Sequence, residues 1–439
     1  MEKILLVTEV NDRFDQAEGR YVPAYANAMI RRFSIKRHLE VLLVDDRNVA
    51  EHVPDFYTGL GRAIRIHRVV GREIEPLATE KLFDDRRFIF NSQKVYKFLK
   101  EYHYDVVIMD ARNGYSFVPT RAKKMALDLG GTILVSWLRT CHEFERELSL
   151  HTPDILDNYI LDRQRDFAEQ YGCENSDVVL VQAEAILEWA RKKNWAIDDK
   201  KVVQILELDE TDPILTVTDR FSATQASVIA DNKSKSLPSV SVCVPHFNDG
   251  HNLVGLLKSL DKNTYENFEV LVVDDGSSDV ESLNILKQLE STYSSRNWRF
   301  IFKEENESIG PTRNFAVSQA KGEIIIFMDS DNLATSDMVF DFVRGIESSG
   351  ADCLSSAMII FTGESDTVSE TDVLCCRMPI GPCLEAGMYF NEFGDANFCV
   401  RKSVFVDLGG FTGSRGEVAD DWEFLARLFL GGYKLDVVP

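Results

Sequence analysis

The sequence predicts an α/β protein of two domains, and three observations lead there. Its 439 residues exceed what one hydrophobic core usually organises. Short apolar runs alternate with helix-period stretches, the pattern of parallel sheets covered by helices. Near the middle a polar stretch, roughly Phe221 to Leu237 and including Ala230-Asp231-Asn232-Lys233-Ser234-Lys235-Ser236, holds no sustained period and ends at Pro238. It reads as a linker at 221–237 between domains at 1–220 and 238–439.

In the first domain, strands are expected at Lys3 to Val10, His38 to Asp45, Asp105 to Asp110, Thr132 to Leu138, Asp177 to Gln182 and Lys201 to Leu208. Amphipathic segments at Ser92 to Tyr102, Thr120 to Leu129, Ile155 to Gln170 and Ala183 to Lys193 separate them, so the order is β then α repeatedly. The second domain opens with a strand at Ser239 to Pro245 and a helix over about Leu253 to Asp261. Strand Phe268 to Val273, helix Glu281 to Thr292, strand Arg299 to Lys303, helix Pro311 to Ala320 and strand Glu323 to Met328 follow, with a further helix at Asp421 to Leu430. Neither an internal repeat nor a low-complexity tract interrupts this order.

Composition narrows the function classes. With 44% hydrophobic and 27% charged residues the chain has the makeup of a globular protein. A formal net charge of -22 disfavours a nucleic-acid backbone or an anionic bilayer as principal partner, since both would be repelled at long range. No apolar run approaches the roughly 18 residues that a membrane span needs. The opening run Met1 to Glu9 has a strand pattern, cut off by Glu9 before a signal-peptide core forms. The expectation is a cytoplasmic protein, with peripheral association at the inner face of the membrane still compatible. Cys141, Cys173, Cys243, Cys353, Cys375, Cys376, Cys383 and Cys399 show no Cys-x-x-Cys pair and no metal-ligand spacing with histidine, and read as reduced, mostly buried thiols.

Three acidic stations carry the chemistry: Asp274-Asp275-Gly276, Asp329-Ser330-Asp331 and Asp420-Asp421-Trp422. The first two follow the β-type runs Glu269 to Val273 and Glu323 to Met328, so their carboxylates should emerge at the carboxyl ends of strands, where open α/β sheets bind ligands. An acidic cluster in such a crevice suits a divalent cation shared between carboxylates and substrate phosphates.

Five segments in order, Val244-Pro245-His246-Phe247-Asn248, Val273-Asp274-Asp275-Gly276-Ser277-Ser278-Asp279, Gly310-Pro311-Thr312-Arg313-Asn314, Met328-Asp329-Ser330-Asp331-Asn332 and Asp420-Asp421-Trp422-Glu423, resemble family 2 glycosyltransferases with the GT-A fold. The resemblance covers about Pro238 to the end. It implies an enzyme, a metal-dependent, inverting glycosyltransferase of hexosyltransferase type. The donor would be a nucleotide-diphosphate sugar, UDP being a guess, and the acceptor a hydroxyl of a glycan or lipid-linked glycan in polysaccharide or glycoconjugate synthesis.

Residue by residue, Asp329 and Asp331 match the family's Asp-x-Asp (DXD) motif and are the implied ligands of Mn²⁺ or Mg²⁺, with Asp329 and Ser330 also on the donor diphosphate. The plainer reading is an acidic turn in which Asp329 caps the next helix. Asp275 matches the position that meets the nucleobase, Pro245 and Phe247 match positions lining the base pocket, and Arg313 is expected to reach a ribose or phosphate. Asp421 matches the second acid of the family's Glu-Asp motif, the implied general base. Its predecessor here is Asp420, shorter by one methylene, and Asp420, Trp422 and Asn397 are placed on the acceptor side. The plainer reading makes both aspartates favourable charges at a helix N-terminus. His246 stands at a variable place in its motif and reads as structural or donor-lining.

A nucleotidyltransferase would want a glycine-rich triphosphate loop where Pro245-His246-Phe247-Asn248-Asp249 stands, and neither half has the Gly-x-Gly-x-x-Gly of a nicotinamide oxidoreductase. The remaining alternative is a catalytically inactive nucleotide-sugar-binding or scaffold protein.

The first domain, through Lys3 to Val10, a helix near Tyr21 to Arg31, and Glu174 to Gln182, resembles the Rossmann-like, acceptor-side N-terminal half of family 4 glycosyltransferases of GT-B type. Asn11-Asp12-Arg13-Phe14-Asp15 replaces that family's glycine-rich turn. Such a half alone is not expected to catalyse transfer, but to present an acceptor, hold a partner or stabilise its neighbour. His142, Glu143 and Arg146 are candidate cleft residues, with a solvated helix face the plainer reading. Because the chain stops at Val437-Val438-Pro439, just past the base helix, truncation of a longer protein is also expected.

Overall fold

The computed structural model describes residues 3–9, 24–33, 38–45, 56–57, 64–70, 87–149, 156–205, 212–225, 237–363, 372–413 and 419–439. The chain divides into two compact units, the first built from residues of Met1–Lys233 and the second centred on Ser234–Pro439.

The first unit runs β1 (Lys3–Glu9), α1 (Ala24–Phe33), β2 (His38–Asp45), β3 (Phe56–Tyr57), β4 (Ile64–Val70), α2 (Arg87–Glu101), β5 (Val106–Asp110), α3 (Phe117–Lys124), β6 (Ile133–Leu138), α4 (His142–Ser149), α5 (Leu156–Asn175), β7 (Val178–Val181), α6 (Glu184–Lys192), β8 (Val202–Gln204) and α7 (Pro213–Gln225). Its eight strands lie in the order β3-β4-β2-β1-β5-β6-β7-β8. Among the described residues of this sheet, only β3 pairs antiparallel, with β4. Alternate residues face opposite sides of a sheet, so Ile4 and Leu6 pack with α1 and α7 on one face while Leu5 and Val7 pack with α2 on the other. Burial on both faces explains why these strands read as unbroken apolar runs.

Some expectations need correction here, the helix read over Thr120 to Leu129 among them, since α3 spans Phe117–Lys124 and Ala126 and Leu129 have positive φ. Helix α7 runs through Phe221 to Gln225, into the stretch read as linker, because Pro213 suits a first helical turn and Phe221 packs on the sheet core. Strand β4 was not expected, although Ile64-Arg65-Ile66-His67 alternates as a strand should. The segments 11–15, 21–23, 206–208 and 226–236 lie outside the described residues.

In the second unit the order is β9 (Val240–His246), α8 (Gly250–Asp261), β10 (Phe268–Asp274), α9 (Val280–Thr292), β11 (Trp298–Phe302), α10 (Ile309–Gln319), β12 (Ile324–Phe327), α11 (Met338–Ser349), β13 (Cys353–Ser356), β14 (Met358–Phe361), β15 (Val373–Arg377), α12 (Leu384–Gly387), β16 (Cys399–Arg401), α13 (Lys402–Asp407), α14 (Asp420–Leu430) and β17 (Leu435–Val438). Seven strands form one sheet, β11-β10-β9-β12-β16-β13-β17, and β14 with β15 make a separate hairpin. Strands β9 to β12 are mutually parallel where they pair, and β16 runs antiparallel to both its neighbours. Since β10 and β11 lie to one side of β9 and β12 to the other, the strand order reverses between β9 and β12. A crevice opens at such a switch point, outside the carboxyl ends of the strands.

Beneath that crevice lies an aromatic cluster. Phe327, Phe398, Phe405, Phe411 and Phe424 are buried, with neighbouring ring centroids 5.1–5.6 Å apart for Phe327–Phe398, Phe405–Phe411 and Phe411–Phe424. Rings at that spacing give the site a stiff floor.

Candidate functional site

The parallel register delivers the first two stations together. Asp274 lies opposite His246 and Val273 opposite Pro245 across β10 and β9, while Phe327 of β12 pairs with Cys243. Pro245 is buried near the carboxyl end of strand β9, and Phe247 just beyond the strand is 48% exposed.

Asp274 and Asp275 do different things. His246 Nδ1 lies 2.9 Å from Asp274 Oδ1, and the Ser277 N–H donates to Oδ2 at 3.1 Å. Burial alone would raise the Asp274 carboxyl, but these bonds hold it below the usual range. His246 is itself buried, and its Nε2 accepts from the Asp249 N–H at 3.2 Å, so it serves as a joint between β9, β10 and the start of α8. Asp275 instead binds forward: Lys303 Nζ donates to Oδ1 at 2.5 Å, and the N–H groups of Glu307 and Ser308 donate at 3.1 and 2.9 Å. An ionised carboxylate has about four acceptor sites, so Asp275 keeps room for one more donor. Lys303 also reaches Thr312 Oγ1 at 3.0 Å. It was not singled out in the sequence, and its only signal was a cation closing the run Arg299 to Lys303. Gly276, at φ +70°, lets the 305–306 backbone pass so closely that a Cβ would meet it at 2.8 Å.

Asp329 is held from two directions. Arg313 Nη2 donates to its Oδ1 at 2.5 Å, and its own N–H donates to Asn397 Oδ1 at 3.2 Å. Ser330 Oγ donates to Asp249 Oδ2 at 3.3 Å, which adds an acid that sequence reading did not single out. Asp331 is open to solvent, yet its carboxyl is raised, first by partial desolvation and then by the like charges of Asp329, Asp249 and Asp395. Among the described residues, no group of three His, Cys, Asp or Glu side chains could hold a metal ion by itself. A magnesium-type ion needs only one or two carboxylates when substrate phosphates supply the rest. The crowded negative charge at Asp331 therefore fits a cation shared with a phosphate ligand.

Asp420 and Asp421 sit in the first turn of α14. Asp421 is partly buried, and Asn391 Nδ2 donates to its Oδ2 at 2.9 Å. Its carboxyl is raised by burial first and by the charge of Asp395, against the opposing pull of the Trp422 N–H and Arg313. Asp420 packs against α10, where a Cβ on Gly310 would come within 2.8 Å of its Oδ2. Trp422 Nε1 donates to the Gly387 carbonyl at 2.7 Å and so pins the end of α12. Asn397 donates to Asp395 Oδ1 at 3.3 Å as well as accepting from Asp329 N, so it stands between the stations. Thus Arg313 and Asp395 act on both the Asp329–Asp331 turn and Asp421.

The candidates in the first unit are committed locally. His142 pairs with buried Glu169 through both its N–H, at 2.8 Å, and its ring Nδ1. Glu143 meets Arg163 at 3.4 Å and Lys193 at 3.0 Å, and Arg146 pairs with Asp166 and, at 3.5 Å, with Asp162. These contacts tie α4 to α5 and α6. The eight cysteines are free thiols, all buried except the partly exposed Cys376.

Residues 241–415 match the family model "Glycosyl transferase family 2". Among curated proteins, Glycosyltransferase GlyG of Streptococcus pneumoniae serotype 4 is 26% identical over 192 residues, 44% of this chain and 54% of that protein. Glycosyltransferase AglE of Haloferax volcanii is 27% identical over 180 residues, 40% of this chain and 57% of that protein. The chain thus spans about half the length of these curated relatives. Among solved structures, S. aureus TarS 1-349 is 26% identical, covering 46% of this chain and 58% of that one at a TM-score of 0.37. The second unit is an α/β domain whose residues 241–415 are similar to glycosyl transferase family 2.

Proposed function

We propose that the second unit moves a sugar from a nucleoside-diphosphate donor to a hydroxyl of a glycan or lipid-linked glycan acceptor, with inversion at the anomeric carbon. The observation that carries this reading is the convergence of Asp329, Asp331 and Asp421 on two shared neighbours, Arg313 and Asp395, at the strand-order switch point. Pro245, Phe247 and the remaining acceptor site of Asp275 take the nucleobase, with Lys303 holding Asp275 in place. UDP suits that carboxylate because uracil offers a ring N–H.

Asp329 and Asp331 would hold Mn²⁺ or Mg²⁺, which when bound neutralises charge on the departing diphosphate. Arg313 fixes the direction of Asp329, and Ser330 is positioned by Asp249 for the donor side. In the transfer, the acceptor oxygen bonds to the anomeric carbon and gives its proton to Asp421. The bond from that carbon to the diphosphate oxygen breaks, and its electron pair leaves with the nucleoside diphosphate. A carboxyl raised by burial is a better base than an exposed aspartate. Asp420, Trp422 and Asn397 border the acceptor.

The test is a panel of nucleotide sugars, with and without Mn²⁺, read by thermal shift and then by transfer or hydrolysis. A donor at 100 times its Kd should stabilise the chain by about 2.7 kcal/mol. Turnover lost in Asp421→Asn with donor binding kept supports the base role, and full activity in that variant overturns it. Failure of every donor to bind with metal overturns the donor site. Binding without turnover in the native chain would favour a nucleotide-sugar-binding protein instead.

A further inference from the structure

Resting on the reading of Asp421 as the base, we infer that Asn391 is its positioning residue: the amide holds one carboxylate oxygen and leaves the other for the acceptor hydroxyl. Asn391 Nδ2 donates to Asp421 Oδ2 at 2.9 Å. The orientation of the amide follows from chemistry, since the reverse would set its carbonyl against a carboxylate, two acceptors facing each other. Its backbone is also held. Arg377, the last residue of β15, donates through Nη2 to the Asn391 carbonyl at 2.9 Å, and its Nη1 lies 3.5 Å from Asp395 Oδ2. One arginine thereby ties the β14–β15 hairpin to the loop that steers Asp421.

The other end of the amide distinguishes this role from ordinary packing. Asn391 Oδ1 is buried and has no hydrogen-bond partner among the described residues. A buried acceptor left unmade is destabilising, so a residue kept only for the fold would be better replaced by an apolar one. What the asparagine supplies is the donor on Asp421. Hydrogen bonding to the ionised form favours that form, so the Asn391 amide adds to the pull of the Trp422 N–H and Arg313 against burial. The other charged groups acting on Asp421 are Asp395 before β16, which raises its carboxyl, and Arg313 of α10, which lowers it, while Asp420 and Glu423 share the first turn of its own helix.

The experiment compares Asn391→Leu and the near-isosteric Asn391→Asp with the full native chain, measuring kcat, donor KM, the pH–rate profile and Tm, with Asp421→Asn in parallel. For Asn391→Leu we expect kcat to fall about tenfold, donor KM to stay, and Tm to hold or rise. The acidic limb of kcat should move up by about one pH unit, because activity needs the carboxylate and the variant protonates it more readily. Asn391→Asp should lose more activity and shift the limb further, by like charge. If the limb stays in place in both variants while Asp421→Asn is inactive, this inference alone is overturned. Should Asp421→Asn remain active, the base reading beneath it fails first.

Discussion

Arg313, almost wholly buried in α10, donates to Asp329 Oδ1 at 2.5 Å while its guanidinium lies 5.4 Å from the centre of the Phe411 ring. The aromatic floor and the acidic turn thus meet in one side chain. A planar guanidinium can stack and donate at once, whereas an ammonium cannot.

Arg313→Lys should therefore cost about 1–2 kcal/mol of stability, discounted because Asp329 remains partly exposed. It should also weaken donor binding several-fold, since Asp329 loses its direction. Chemical denaturation and donor titration with Mn²⁺ check both. Native-like donor affinity would show that Arg313 serves packing only.

Asp331→Asn tests the cation. The folded carboxyl is raised, so its contribution to stability is present at low pH and is lost as pH rises through the folded value. At neutral pH without metal the variant should be equal to or slightly more stable than the native chain, by less than about 1 kcal/mol given its exposure. With Mn²⁺ and a nucleotide sugar the native chain should gain a thermal shift that the variant lacks. A shift preserved in the variant would remove Asp331 from the metal.

Gly276→Ala should be among the more damaging single-methyl additions in the second unit. The added Cβ meets backbone of Glu305 and Asn306 at 2.8 Å, and the position has φ +70°. Both the steric and the left-handed penalty apply, together about 2 kcal/mol or more. The displaced 303–308 segment carries the donors to Asp275, so donor affinity should fall with stability. Unchanged melting and binding would mean that the loop is free to shift.

In the first unit, burial pushes the Asp110 carboxyl up to about 6 and that of Asp166 up to about 7, against the nearby arginines. Each raised group contributes stability that is complete below about pH 4 and is lost as pH rises through these values. Asp110→Asn should gain on the native chain as pH rises from 5 to 7, by about 1 kcal/mol of the roughly 3 kcal/mol that the full titration from below pH 4 carries, less whatever Arg139 loses with its partner. Paired melting curves across that range provide the check, and a pH-independent difference would refute the assignment.

Expectation and structure agree most closely where the chemistry is local. The runs around Ile4, Val106, Val270 and Ile324 are apolar at every position because both faces of each strand are covered, and a continuous apolar run carries that information by itself. Asp275 and Asp329 were legible for the same reason, since an acid just beyond a buried strand must emerge at its carboxyl end. Helix α7 was missed because its polar face resembles a linker and its partner, the sheet core, is distant in sequence.

The sequence by itself therefore determined the α/β character of the two units, the strands β1 to β12 other than β3 and β4, and the places where carboxylates leave them, all consequences of short-range periodicity. Tertiary structure alone decided the partners of those carboxylates. Arg313 reaches Asp329 across 16 residues, Lys303 reaches Asp275 across 28, and Asn391 reaches Asp421 across 30. Such pairs form only when crossover helices bring separate strand ends to one crevice, and no spacing along the chain encodes which donor will face which acid.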